Sequence, residues 1–185
     1  MKAVLSLGIW LKKYCICPRN HEITVKRGIN MNLEEKIVKE LKNRGYTIAT
    51  AESCTGGLLA GRLLNVSGAS EVFNEGYITY SNEAKQRLVY VSPSSLQLHG
   101  AVSFEVAQEM AIGVQQAAKA QVGLSTTGIA GPGGGTPEKP VGLVYVGCAI
   151  EDKVWCKECR FHGDREENRR QAVEEALQLL WENLY

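Results

Sequence analysis

The sequence lacks an apolar run long enough to cross a bilayer. Its early hydrophobic stretch, residues 3–11, falls far short of the roughly 20 residues a spanning helix needs. That stretch resembles a signal-peptide core, but Lys12 and Lys13 follow at once and no small-x-small cleavage site appears, which argues against a secretory signal. A basic excess is also missing. The formal charge of +1 hides a split: residues 1–30 hold six Lys/Arg and one Glu, leaving 15 basic against 19 acidic residues from Met31 onward. A mildly acidic body argues against nucleic acid as a partner, because phosphate-binding faces carry an excess of cations. No regular framework links the six cysteines, which points to a reducing, cytoplasmic compartment rather than a disulfide scaffold. Histidine is scarce, at three residues: His21, His99 and His162. No Gly-Lys-Ser/Thr closes the glycine-rich stretch 127–135 and no G-x-G-x-x-G leads into a helix, which removes the two common phosphate fingerprints.

What is present describes an ordinary folded domain. With 185 residues, 44% hydrophobic and 22% charged, the chain can bury a substantial core. Met31 opens a segment with the marks of a domain start: Leu33, Ile37, Val38 and Leu41 share a helical face, and Gly45 sits where a helix stops. Residues 1–30 read as an extension outside the domain, with Met31 as the expected natural start, and residues 31–185 as the domain itself. Cys15, Cys17 and His21 in the extension form only a weak metal cluster. Cys156-x-x-Cys159 falls in a strand, where positions three apart face opposite sides, so no metal site is expected there.

From Met31 helical and β patterns alternate. Strands are expected near 47–51, 72–80 with a bulge at Gly76, 122–126, 141–150 and 154–161, the last two forming a hairpin through Glu151-Asp152. Helices are expected from Leu33 and Leu58, after the caps Ser81 or Asn82, Ser92 and Ser103, and after a capping box of Asp164 with Glu167. The sum is an α/β protein, a three-layer α/β/α domain with a mixed, mostly parallel sheet of about five strands.

Two strand-to-helix junctions collect polar chemistry. Thr50-Ala51-Glu52-Ser53-Cys54-Thr55-Gly56-Gly57 offers three candidate nucleophiles, Ser53, Cys54 and Thr55, ahead of a helix whose first N–H groups are expected to be open to an anion. A thiol at that place would be the stronger nucleophile. The plainer alternative is that Ser53 or Thr55 caps the helix and the glycines make a turn. The second junction, Tyr80 to Lys85, supplies a lysine. No histidine offers itself as a base near Ser53, which leaves Lys85, provided burial or a nearby cation lowers its pKa towards roughly 7–8. Arg165 in the first turn of the last helix is electrostatically unfavourable unless an anion lies between it and the helix end.

The motifs 51–57, 77–85, Gly100-Ala101-Val102-Ser103, 127–132, Lys139-Pro140-Val141-Gly142 and Phe161-x-Gly163-Asp164-Arg165, in that order, together resemble the CinA carboxy-terminal domain family, of the stand-alone PncC amidase type. The resemblance covers residues 31–185. It implies an anticodon-binding-domain-like fold and hydrolysis of the carboxamide of nicotinamide mononucleotide to nicotinate mononucleotide and ammonia. It further implies Ser53 as nucleophile with Lys85 and Tyr80, and substrate contacts from Cys54, Thr55, Gly56, Gly57, Thr127, Gly128 and Arg165. No metal or organic cofactor is implied. The expected partners are a small nucleotide substrate and further copies of the same chain, with neither nucleic acid nor membrane. A domain that binds nucleotides or a protein partner without turnover is the alternative from another class.

Overall fold

The structure is a computed structural model and describes residues 31–185. The expectations for the first thirty residues, including the cluster of Cys15, Cys17 and His21 and the choice of Met31 as start, lie outside the described residues.

Local signals set the element ends. Helix α1, Leu33–Arg44, begins in a capping box of Asn32 and Glu35 and stops at Gly45, whose φ of 66° is the left-handed conformation glycine tolerates. Strand β1, Ile48–Glu52, is followed by α2, Leu58–Leu64, and a 3₁₀ turn at Ala69–Glu71. Strand β2, Phe73–Ile78, leads to α3, Asn82–Val89, α4, Pro93–His99, and α5, Phe104–Ala117. Ser81, Ser92 and Ser103 each accept a backbone N–H of the helix they precede. Strand β3, Val122–Gly128, the glycine-rich loop, β4, Leu143–Ile150, β5, Lys153–Arg160, and α6, Arg165–Asn183, complete the fold.

The five strands run in the order β2-β1-β3-β4-β5. The pairs β1–β2 and β1–β3 are parallel, and β3–β4 and β4–β5 antiparallel. The sheet is therefore mixed: β1, β2, β3 and β5 run in one direction and β4 against them, because the glycine-rich loop reverses the chain after β3 and the Glu151-Asp152 hairpin reverses it again after β4. Between Ile48 and Thr50 of β1 the partner strand advances from Phe73 to Gly76, which is the bulge expected near Gly76.

Helices cover both faces. Ile37, Val38 and Leu41 of α1, Leu59 and Leu63 of α2, and Ala172, Ala176, Leu177 and Leu180 of α6 pack with Ile48, Leu124, Val144 and Val146 of the sheet. On the other face Ala49 and Ala51 of β1 pack with Val89, Val91, Leu96, Val106, Met110 and Val114 of the α3–α5 layer. Tight approach there depends on Gly147 of β4, where a Cβ would come within 2.4 Å of the Ala107 carbonyl oxygen of α5.

This two-sided burial decides where polar side chains go. Strand residues alternate faces. On β1, Ile48 faces α1, α2 and α6 while Ala49 and Ala51 face α5, so Glu52 returns to the α2 side. Ser53, one residue on, turns towards α3. On β3 the same alternation sends Thr126 to the side of Thr55 and Thr127 to the side of Ala101. The carboxyl ends of the parallel strands β1 and β3 lie side by side, which is where open α/β sheets place their ligands.

Candidate active site

Ser53 stands just past the end of β1, with its N–H donated to the Thr126 carbonyl at 2.9 Å. The Lys85 ammonium, from the first turns of α3, lies 3.1 Å from Ser53 Oγ and donates to the Thr79 carbonyl at 2.8 Å. Lys85 is only 1% exposed. Among the described residues it has no carboxylate within ion-pair reach. Burial holds its pKa below the ordinary lysine value, opposed by the neighbouring Cys54 sulfur. Its place in the first turns of α3 acts in the same direction as burial, since the helix amino end is positive. A buried lysine with two acceptors and no counter-ion can give up its proton far more readily than a surface lysine. The geometry thus brings together two residues 32 positions apart, in the relation a serine and its base require.

Cys54 differs sharply from its neighbour. The residue is 6% exposed, and burial pushes the thiol pKa up to about 12, with the Glu52 carboxylate adding to the rise. The lowered thiol pKa expected at a helix start is overturned for this physical reason: desolvation outweighs the helix end. Cys54 is held as a thiol and is a poor nucleophile.

The helix start itself is not open. The Glu52 carboxylate accepts the N–H groups of Gly57, Leu59 and Ala60 at 2.9, 3.1 and 2.8 Å and the Thr55 hydroxyl at 2.6 Å. The Thr55 hydroxyl also meets Thr126 Oγ1 at 2.7 Å. The expectation that these first N–H groups of α2 await an anionic ligand is therefore corrected: a carboxylate of the chain already fills the place. Neither Ser53 nor Thr55 caps the helix; Glu52 does. Replacing Glu52 by Ala would orphan three backbone donors, one buried and two part-buried, and is expected to cost about 3 kcal/mol of unfolding free energy. Urea titration checks this, and a loss under about 0.5 kcal/mol would mean that water replaces the carboxylate.

A cavity of about 240 Å³ opens beside Ser53 and Lys85. Its walls include Cys54, Tyr80, Thr127, Gly128 and Arg165. Of the residues named from sequence, Thr55, Gly56 and Gly57 stay outside this lining; they shape the loop behind it. Tyr80 is 66% exposed at the rim and makes no hydrogen bond to Lys85 among the described residues. The residue that holds Lys85 is Thr79, through its carbonyl. Thr127 directs its hydroxyl to the Ala101 carbonyl at 2.7 Å, which fixes the wall formed by Ala101 and Val102. Lys139 secures the same wall from the glycine-rich loop, donating to the His99 and Val102 carbonyls at 2.6 and 2.7 Å.

Arg165 borders both this cavity and a neighbouring one of about 560 Å³ lined by Pro132, Val141 and Asp164. Its guanidinium donates to the Gly131 carbonyl at 2.8 Å, and the end of α6 is already capped by Asp164, which accepts the Glu167 N–H at 2.9 Å. An anion between Arg165 and the helix end is thus not required to explain the arginine. Two supports went unnoticed in the sequence. Asn168, fully buried, donates to the Ala130 and Gly163 carbonyls at 3.0 Å each. Arg169 donates to the Cys54 and Thr55 carbonyls at 3.1 and 2.7 Å. Only their spacing from the Asp164 cap, which puts them on the first turns of α6, hinted at a shared role.

No described helix is long and apolar enough to cross a membrane. Among the described residues no group of three or more His, Cys, Asp or Glu is placed to hold a metal ion.

The chain is similar to a competence-damage inducible protein of Caldanaerobacter subterraneus, with 54% identity over 80% of this chain and 36% of that protein. A protein of the same name from Clostridium novyi is 52% identical over 88% of this chain and 41% of its own length. The chain thus spans well under half the length of these curated relatives. Among solved structures it is similar to the competence/damage inducible protein CihA of Agrobacterium tumefaciens, with a TM-score of 0.79, 40% identity, and coverage of 80% of this chain and 92% of that one. A CinA superfamily protein from Enterobacter cloacae gives a TM-score of 0.80 at 33% identity, covering 83% of this chain and 90% of that one. The model of the CinA C-terminal domain matches residues 30–184, and with these likenesses it shows that the chain belongs to the CinA C-terminal domain family.

Proposed function

We propose that residues 31–185 form an amidase domain that hydrolyses the carboxamide of nicotinamide mononucleotide to nicotinate mononucleotide and ammonia. The observation that carries this reading is the 3.1 Å contact between Ser53 Oγ and a buried Lys85 amine with no carboxylate partner among the described residues. The substrate follows from the family motifs, which supply Ser53, Tyr80, Lys85, Thr127 and Arg165 together.

In the proposed reaction neutral Lys85 takes the Ser53 proton as Oγ attacks the carboxamide carbon. The C–O bond forms and the carbonyl electrons move to oxygen, giving a tetrahedral oxyanion that backbone N–H groups must receive. The oxyanion collapses, the C–N bond breaks, and the Lys85 ammonium returns its proton to the leaving nitrogen, so ammonia departs. Water, deprotonated by the same amine, then cleaves the ester and restores Ser53. Thr127, Gly128 and Arg165 border the substrate, with Tyr80 at the mouth. The small cavity at Ser53 suits the carboxamide end, and Arg165 stands between it and the larger cavity, where the anionic remainder would extend. The protein acts as a cytoplasmic homo-oligomer in this reading.

The test is ammonia release from nicotinamide mononucleotide by the purified chain, before and after treatment with a chelator. Stoichiometric ammonia and nicotinate mononucleotide, unchanged by chelation, are expected. Calorimetric binding without product would establish a non-catalytic binding domain instead.

A further inference from the structure

The Lys85 amine has a donor to spare, and a buried acceptor beside it is unmatched. Ser53 Oγ and the Thr79 carbonyl use two of the three N–H groups of the ammonium, and nothing among the described residues accepts the third. The Thr79 side chain is fully buried, and its Oγ1 has no hydrogen-bond partner among the described residues. A buried hydroxyl without a partner is costly and calls for a reason. The other side-chain oxygens in that condition, on Glu34 and Thr50, lie on the α1 side of the sheet, away from the site.

Strand alternation puts the Thr79 hydroxyl on the face of the reacting pair. Tyr77 of β2 packs with Ala49, Ala51 and the α3–α5 layer, whereas Ile78 leans the other way, its Cδ1 3.6 Å from where a Cβ at Gly57 would lie. The Thr79 N–H donates to the Glu52 carbonyl at 2.8 Å, so the pairing with β1 continues one residue past Ile78 and returns the Thr79 side chain to the Tyr77 side. Ser53 and Lys85 of α3 stand on that side. The carbonyl and hydroxyl oxygens of one threonine are only a few covalent bonds apart. Since the carbonyl is 2.8 Å from Lys85 Nζ, the hydroxyl falls within the span of one bridging water. Of the charged and titratable groups on the elements around Lys85, none bonds its amine. Cys54, Tyr80 and Arg165 border the same cavity, the Glu52 carboxylate is tied to α2, Glu83 lies on α3 itself, and Glu109 of α5 is tied to Ser92 and Ser95.

We infer that Thr79 is a positioning residue whose hydroxyl, through one buried water, takes a second N–H of the Lys85 amine beside the one its carbonyl holds, and so aims the amine lone pair at Ser53. The inference rests on the amide-hydrolysis reading of Ser53 and Lys85. A neutral amine keeps a pair of N–H groups and one lone pair, and a general base must present the lone pair to the proton it takes. With the carbonyl as sole anchor, rotation about the Cε–Nζ bond exchanges the lone pair with an N–H. A second anchor removes that alternative.

The experiment compares wild type with Thr79→Val, Thr79→Ala and Thr79→Ser, all of which keep the carbonyl. Without the hydroxyl the ammonium loses a hydrogen bond, so in Thr79→Val and Thr79→Ala the pH midpoint of kcat/KM for ammonia release is expected to move down by about one unit. On the high-pH plateau kcat should fall by roughly tenfold, with KM within about threefold of wild type. Thr79→Ser should restore most of both. In parallel, the carbon-13 resonance of Lys85 Cε, assigned by its loss in Lys85→Met, is titrated by NMR, and its midpoint should move by the same amount. This second readout needs no substrate. Wild type that leaves nicotinamide mononucleotide intact refutes the substrate, and the NMR midpoints still judge whether Thr79 holds the amine. Unmoved midpoints in both hydroxyl-free variants, a serine variant that behaves like valine, or loss of the fold in both hydroxyl-free variants by circular dichroism would overturn the inference, since the hydroxyl would then serve packing alone.

Discussion

Ser53→Ala is expected to lower kcat for ammonia release by at least ~10³-fold, while Cys54→Ala stays within about tenfold of wild type. The two side chains are neighbours in sequence, but the end of β1 turns them into different surroundings. Ser53 Oγ is 3.1 Å from a buried amine. The Cys54 thiol is packed into the core on the α6 side and held protonated by burial, with a pKa pushed up to about 12. A thiolate there would have to be desolvated, and that cost outweighs what the nearby Lys85 returns. Deleting the thiol removes a packed sulfur from the core, so Cys54→Ala should show its effect in Tm rather than in turnover. Steady-state assays of both variants, with circular dichroism to confirm the fold, decide the matter. More than a tenth of wild-type kcat in Ser53→Ala would remove the serine from the mechanism.

Much of the scaffold was legible because it is written locally. The Asp164–Glu167 box, the caps at Ser81, Ser92 and Ser103, the stop at Gly45 and the Glu151-Asp152 hairpin each involve residues within a few positions of one another. Their physics needs no knowledge of the rest of the chain. The bulge at Gly76 was visible as a glycine in a strand pattern, although its purpose depends on β1, where Thr50 Oγ1 would lie 2.6 Å from a Cβ at that glycine.

The site was legible in its residue types and less so in its wiring. Glu52 was in view beside Ser53, yet its partners are N–H groups five to eight positions on, reached only because β1 delivers the carboxylate to the α2 face. Alternation along β1 could have shown this, since it sends Glu52 and Ser53 to opposite sides. Thr79 holds Lys85 through a carbonyl, which no side-chain reading reveals, and Tyr80 accordingly stands at the rim rather than on the amine. Arg169 and Asn168 act on carbonyls 114 and 38 residues away and become visible only when α6 is docked.

Lys85→Met is expected to reduce kcat/KM by ~10³-fold or more and to abolish its rise with pH, because the amine is the proposed base and methionine cannot take a proton. In wild type, activity should climb as pH rises through the folded pKa of Lys85, which burial holds below the ordinary value of 10.5. Stability provides an independent check on the same group. The unfolded chain keeps the Lys85 proton up to the ordinary lysine pKa, whereas the folded chain releases it at lower pH. Between those two values the unfolded state binds more protons, so wild-type stability gains with rising pH; below the folded pKa the full cost of the buried ammonium is present. Methionine carries no such dependence, and the unpaired Thr79 carbonyl it leaves behind contributes a pH-independent offset. The difference in unfolding free energy, variant minus wild type, should therefore be largest at low pH and shrink steadily as pH approaches about 10. Denaturant titrations of both proteins from about pH 6 to about pH 10 measure it. A difference that stays flat, or grows with pH, would mean that Lys85 keeps its proton in the folded protein and cannot serve as the base for Ser53.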